Sequence, residues 1–163
     1  MSQKIEPGLG ELLRYVSELV ELGAEEHYQK MGLKYRARYT PVLRAIRSGP
    51  LTVTEITSCT HLTQGAISQT ITHMENDGVV ARQRGKDGRQ TIVQLTPSGK
   101  KLVINLNAHW TATFEAIEHL EEEIGFPLRR VLENTARALE QQGFSQRLTN
   151  IKQSLKAGAA HHE

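Results

Sequence analysis

Apolar residues recur at helical spacing along most of this chain. Leu9, Leu12, Leu13, Val16, Leu19 and Val20 form one stripe behind Pro7-Gly8 and predict a first helix over about residues 9–30, with Gly23 weakening its middle. After Gly32, Val42, Leu43 and Ile46 mark a second, short helix within Tyr39 to Arg47, stopped by Ser48-Gly49-Pro50. Thr52 and Glu55 form a T-x-x-E capping box that opens a third helix, which ends near Thr60. Thr63 is the next candidate N-cap, ahead of the periodic set Ala66, Ile67, Ile71 and Met74, and this fourth helix stops near Asp77-Gly78.

The period then changes. Val79 to Arg84 and Gln90 to Leu95 are short β-prone runs that bracket Gly85-Lys86-Asp87-Gly88, which reads as a hairpin with a basic, glycine-bearing tip. Thr96-Pro97 supplies a cap and a proline at the first helical position, opening a long helix that carries Leu102, Val103, Leu106, Trp110, Phe114, Ile117 and Leu120. Gly125 and Pro127 separate it from a last helical region, where Leu128, Val131, Leu132 and Leu139 form another stripe before Gly143 interrupts it. The fold class is therefore mainly α with a small β-hairpin. The order helix, short turn, helix, basic hairpin is that of a winged helix-turn-helix.

Composition narrows the function. No stretch of about 18 apolar residues occurs, and Met1 to Pro7 has no apolar run behind a basic flank, so a cytoplasmic protein without a membrane span is expected. One cysteine, Cys59, excludes an internal disulfide and a zinc ribbon. The net charge of +2 hides an uneven distribution: Lys30 to Lys101 holds twelve Lys or Arg against four acids, and the rest of the chain holds eight against fourteen. A basic centre between acidic ends suits a polyanion if the charges share a face. No G-x-S-x-G elbow, phosphate-binding glycine loop or H-E-x-x-H is present, so no enzyme class is suggested and no cofactor is implied.

With Ile67, Ile71 and Met74 turned inward, the fourth helix presents Gln64, Ser68, Gln69, Thr72 and His73, with no acid before Glu75. Gln can grip adenine bidentately, and Ser or Thr can take a base edge or a phosphate. Amides near Thr63, Gly65 and Ala66 can meet a phosphate at the helix N-terminus. The plain alternative is a polar face that solubilises the helix. Arg82, Arg84, Lys86 and Arg89 on the hairpin suit a minor groove, with Arg89 the favoured groove residue. Asp87 either orients a guanidinium or is a turn aspartate of the D-G kind. The partner so described is double-stranded DNA.

From Leu51 to Lys101 the sequence resembles the multiple-antibiotic-resistance regulator, or MarR, family of bacterial winged-helix regulators. Its core, AISQTITHMENDGVVARQRGKDGRQTIVQLTPSGKKL, is similar to the family's recognition helix and glycine-terminated turn. The D-x-R wing motif at Asp87 and Arg89 and the T-x-x-G opening at Thr96 and Gly99 follow it. The resemblance implies a homodimer in which an N-terminal part (1–36) and C-terminal helices (101–163) intertwine around a DNA-binding lobe (37–100). It also implies a pseudo-palindromic operator with recognition helices in successive major grooves, and a repressor that acts by occupancy.

Many members of that family are released by small aromatic acids or phenols, or by oxidation of a cysteine. For an aromatic or anionic effector the residues to inspect are Tyr28, Tyr35, Arg36, Tyr39 and Trp110, although Tyr and Trp also serve as core anchors. Cys59 ends the helix before recognition and reads as a buried, inert thiol; a redox-responsive regulator acting through it is the alternative, which requires exposure. His27, His109 and His119 with Glu25, Glu26, Glu115 and Glu118 lack the spacing of a tetrahedral site, and no metal is expected. The remaining competitor is a winged-helix protein-interaction module, whose recognition face would carry apolar or acidic residues instead of Gln64 to His73.

Overall fold

The computed structural model describes residues 5–33 and 35–162. Of the Met1 to Pro7 stretch considered above as a leader, the first four residues lie outside the described residues, as does Lys34 of the basic window. The elements run α1 (Leu9–Lys30), a 3-10 turn (Ala37–Tyr39), α2 (Thr40–Ile46), β1 (Leu51–Thr52), α3 (Val53–Ser58) and α4 (Gln64–Asn76). They continue with β2 (Val80–Arg84), β3 (Thr91–Leu95), α5 (Pro97–Ile124), α6 (Leu128–Gln141) and α7 (Phe144–Ala160). The chain divides into two compact units, residues 1–108 and 109–163, with the boundary inside α5.

In the first unit, local capping chemistry places the short helices. Thr52 Oγ1 accepts the Glu55 amide at 3.1 Å and Glu55 Oε2 accepts the Thr52 amide at 3.0 Å, so both halves of the capping box are made. Thr63 Oγ1 accepts the Ala66 amide at 3.2 Å and starts α4. At its other end Gly78 takes φ of 72°, and the Val79 amide returns to the Met74 carbonyl at 2.9 Å, which closes the helix and turns the chain into β2.

Three strands form an antiparallel sheet in the order β1-β3-β2, with Leu51 opposite Val93 and Val80 opposite Leu95. The two-residue β1 was not expected from the sequence: its pairing comes from its place beside β3, and a two-residue run has no period of its own. Ile67, Ile71 and Met74 are fully buried with Leu43, Ile46, Ile56, Val93 and Leu106. Each such side chain contributes about 1.5–3 kcal/mol by leaving water, which fixes the rotation of α4 about its axis. Ala66, counted above in the inward stripe, is exposed, and Thr70 is buried instead.

The start of α5 is locked to the end of α4. Thr96 Oγ1 accepts the Gly99 amide at 3.0 Å and donates to the Gly78 carbonyl at 2.5 Å, while the Thr96 amide bonds to the Val79 carbonyl at 3.1 Å. A Cβ on Gly99 would stand 2.0 Å from the Val79 carbonyl oxygen. The T-x-x-G pattern is thus a packing requirement, in which the helix can approach the backbone at residues 78–79 because residue 99 has no side chain.

The second unit holds the rest of α5 with α6 and α7. Arg129 opens α6 and grips Glu121 of α5 through its amide at 2.9 Å and its guanidinium at 3.0 and 3.1 Å. These bonds hold the Glu121 carboxyl below its ordinary range. Helix α7 follows the interruption at Gly143. Gly143 is its N-cap, and Phe144, Leu148, Ile151 and Leu155 recur along it at helical spacing. No residue of α6 or α7 is buried. Leu9, Leu12, Leu13, Val16, Leu19 and Val20 of α1, in the first unit, are exposed as well.

Candidate nucleic-acid interface

Helix α4 and the β2–β3 hairpin carry the expected site. Gln64, Gly65, Gln69 and Thr72 are exposed on α4, and Ser68 and His73 are half-buried. The hairpin tip is closed by hydrogen bonds from the Gly85 amide to the Gln90 carbonyl at 2.7 Å and from the Gly88 amide to the Gly85 carbonyl at 3.0 Å. Gly88 sits at φ of 70°, a conformation that favours glycine. Asp87 Oδ1 accepts the Arg89 backbone amide at 3.1 Å, the bond of a turn aspartate.

A groove of about 230 Å³ brings the two elements together. It is lined by Gln64 and Ser68 of α4, Arg82 of β2, Arg89 and Gln90 of the tip, Thr91 of β3, and Thr52, Val53 and Thr54 at the start of α3. The last three were not anticipated, because only the pairing of β1 with β3 carries them to the wing. Among the described residues, Arg84, Lys86 and Arg89 form no ion pair. Their charge is free to meet an external anion. Arg82 differs: it is held by α4 through the Ser68 carbonyl, the Thr72 hydroxyl and Glu75.

Four of the five expected effector residues, Tyr28, Tyr35, Arg36 and Tyr39, belong to the first unit, and Trp110 to the second. Tyr28, Tyr35 and Tyr39 are buried and meet edge to face, with ring centroids 4.5 Å apart for Tyr28 and Tyr35 and 6.1 Å for Tyr35 and Tyr39. Tyr35 shares a hydrogen bond with Thr40, and the Tyr39 hydroxyl donates to Asp77 Oδ2 at 2.6 Å, tying the start of α2 to the C-cap of α4. Burial, reinforced by that carboxylate, raises the Tyr39 pKa; burial also raises that of Tyr28. An open hollow of about 590 Å³ lies beside them, lined by Tyr35, Arg36, Arg38, Glu21, Glu25 and Asp77 among others. Trp110 is buried on α5 in the second unit, its Nε1 without a hydrogen-bond partner among the described residues.

Cys59 is exposed, which corrects the expectation of a buried thiol. Helix α3 buries Ile56 and ends at Ser58, so Cys59 falls at the C-cap, turned away from the buried stripe, with its Sγ donating to the Ile56 carbonyl at 3.4 Å. Among the described residues no three His, Cys, Asp or Glu side chains are grouped to hold a metal ion, and no helix is long and apolar enough to cross a membrane.

The model of the MarR family matches residues 32–90, which span the second helix, the helix-turn-helix and the wing through Arg89. A relative in Bacillus subtilis strain 168, the uncharacterised HTH-type transcriptional regulator YwoH, is 32% identical over 92 residues. This chain belongs to the MarR family. The alignment with the Bacillus relative covers 56% of this chain and 66% of YwoH. Solved structures share the fold at lower identity. The Staphylococcus aureus MepR–DNA complex superposes with a TM-score of 0.60 at 20% identity, over 83% of this chain and 99% of that one. BpsR of Bordetella bronchiseptica, whose DNA binding is regulated by 6-hydroxynicotinic acid, gives 0.56 at 21% identity over 86% and 99%. The family assignment accords with the expectation of a regulator in place of an enzyme.

Proposed function

We propose that this MarR-family protein is a sequence-specific DNA-binding transcriptional regulator that binds a pseudo-palindromic operator as a homodimer and represses by occupancy. The observation that carries this reading is the shared groove. A polar helix face with Gln64, Gln69 and Ser68 stands beside a wing whose Arg84, Lys86 and Arg89 form no ion pair among the described residues. Helix α4 is the element for the major groove, where Gln64 and Gln69 read base edges, and the wing tip is the element for the adjacent minor groove. MepR, similar in fold, was solved on DNA.

Dimerisation is supported by the apolar stripes of α1, α6 and α7, which the single chain leaves exposed. A second copy is the simplest cover for them, and an isologous dimer matches a palindromic site. An effector that favours a lobe spacing unable to fit both half-sites would release the DNA. The hollow beside Tyr35 and Arg36 is the place for it, and BpsR is a precedent for control by a small aromatic acid. Selection of duplexes from a random pool tests the reading. Enrichment of a palindrome with half-sites about one helical turn apart supports it; a pool without consensus after repeated rounds refutes it.

A further inference from the structure

Arg82 was counted from the sequence among the DNA-facing cations, yet its surroundings set it apart from the other three. Its Nη2 donates to the Ser68 carbonyl at 3.1 Å and to Thr72 Oγ1 at 2.8 Å, and its Nε lies 3.3 Å from Glu75 Oε1. Residues 68, 72 and 75 follow one another along a single face of α4, so one guanidinium from β2 spans two turns of the helix. Two of its five N–H donors are engaged in hydrogen bonds, both on Nη2, and its charge is offset by Glu75. Thr72 is engaged in turn: its hydroxyl donates to the Ser68 carbonyl at 3.1 Å while accepting from Arg82.

We propose that Arg82 is a positioning residue that fixes the wing against the recognition helix, and that Thr72 serves this clamp instead of reading DNA. The proposal rests on the DNA-binding reading above. A helix in one groove and a wing tip in the next can both seat only if their separation matches the duplex. A guanidinium suits this task because its plane fixes direction as well as distance, which a lysine ammonium does not. Counterion release then belongs to Arg84, Lys86 and Arg89, and base reading to Gln64 and Gln69.

The test compares the wild type with Arg82→Gln, Arg82→Lys, Thr72→Val, the double variant Arg82→Gln/Thr72→Val, and Arg89→Ala. Affinities for a selected operator and a scrambled duplex are measured by fluorescence anisotropy across a salt series. Arg82→Gln is expected to lower the operator-to-scrambled ratio about tenfold, the scale of one good base contact, while leaving the salt slope unchanged. Thr72→Val is expected to lower the ratio less, and the double variant to be no worse than Arg82→Gln, because the two side chains act as one unit. Arg82→Lys should fail to rescue. A salt slope reduced by about one in Arg82→Gln, rescue by lysine, additive losses, or an unchanged ratio would each overturn the proposal. If Arg82→Gln does not fold, Thr72→Val, which removes one exposed hydroxyl, decides by the same ratio and slope. Failure of the underlying reading looks different: the wild type itself shows no preference and Arg89→Ala changes nothing.

Discussion

Replacing Gly99 by alanine opposes two effects of opposite sign. Alanine is the better helix former by about 1 kcal/mol, so propensity alone predicts a small gain. The structure predicts a loss. The new Cβ would lie 2.0 Å from the Val79 carbonyl oxygen, at least about 1 Å closer than Cβ atoms are found to such atoms. The obstacle is backbone, which cannot rotate aside, so α5 must withdraw from residues 78–79. Overpacking of this kind costs about 1–3 kcal/mol. Withdrawal also strains the bonds from Thr96 to Gly78 and Val79, at about 0.5–1.5 kcal/mol each. Against the propensity gain of about 1 kcal/mol the net is roughly 1–5 kcal/mol, which for a chain of this size lowers Tm by about 2–20 °C. Thermal unfolding followed by circular dichroism reads this directly. A Tm equal to or above that of the wild type would refute the close approach and the packing account of the T-x-x-G motif.

Four further outcomes are expected. Arg89→Ala should weaken binding to all duplexes and reduce the salt slope by about one counterion, read by anisotropy; an unchanged affinity at several salt concentrations would remove Arg89 from the interface. Gln64→Ala or Gln69→Ala should instead relax base preference at one position of each half-site by about 1–3 kcal/mol, read by competition with single-base operator variants, and equal weakening on every variant would contradict base reading. Cys59, exposed at the end of α3, should react with a disulfide reagent in the folded protein at one thiol per chain, whereas protection until denaturant is added would contradict its placement. The Glu121 carboxyl is held low by Arg129, so its contribution to stability is present above the ordinary carboxylate value of 4.5 and is lost as pH falls through the lower folded value. Glu121→Gln should therefore flatten the acid limb of a Tm-against-pH profile, and an unaltered limb would contradict the Arg129 pairing.

The parts of the fold that were legible in the sequence are those set by local chemistry. Thr52 with Glu55, Thr63, and Thr96 with Pro97 each announce a helix start by side chains that bond amides within the same turn, and each helix begins there. Strand β1 was hidden because two residues have no period, and its pairing with β3 is a tertiary event. Helix α7 was given no bounds of its own: Gly143, read as an interruption, is its N-cap, and Phe144, Leu148, Ile151 and Leu155 recur behind it. At the candidate interface, the polar face of α4 could be deduced once Ile67, Ile71 and Met74 were placed inside. The division of labour among the arginines could not. Whether a basic side chain meets solvent or a neighbouring helix depends on how β2 packs on α4, and that brings Glu75 to 3.3 Å from Arg82, while among the described residues no acid forms an ion pair with Arg89. The tyrosines were likewise ambiguous, since the side chains that line a hollow and those that fill the core beside it share one composition.

The central claim is that α4 and the wing form a sequence-specific DNA interface. It is tested most directly by fluorescence anisotropy of the purified protein on the promoter region of its own gene, across a salt series and with a scrambled duplex as competitor. The account predicts a preference of about a thousandfold or more for the promoter, with affinity falling steeply as salt rises. Equal, weak binding to both duplexes at every salt concentration would contradict it.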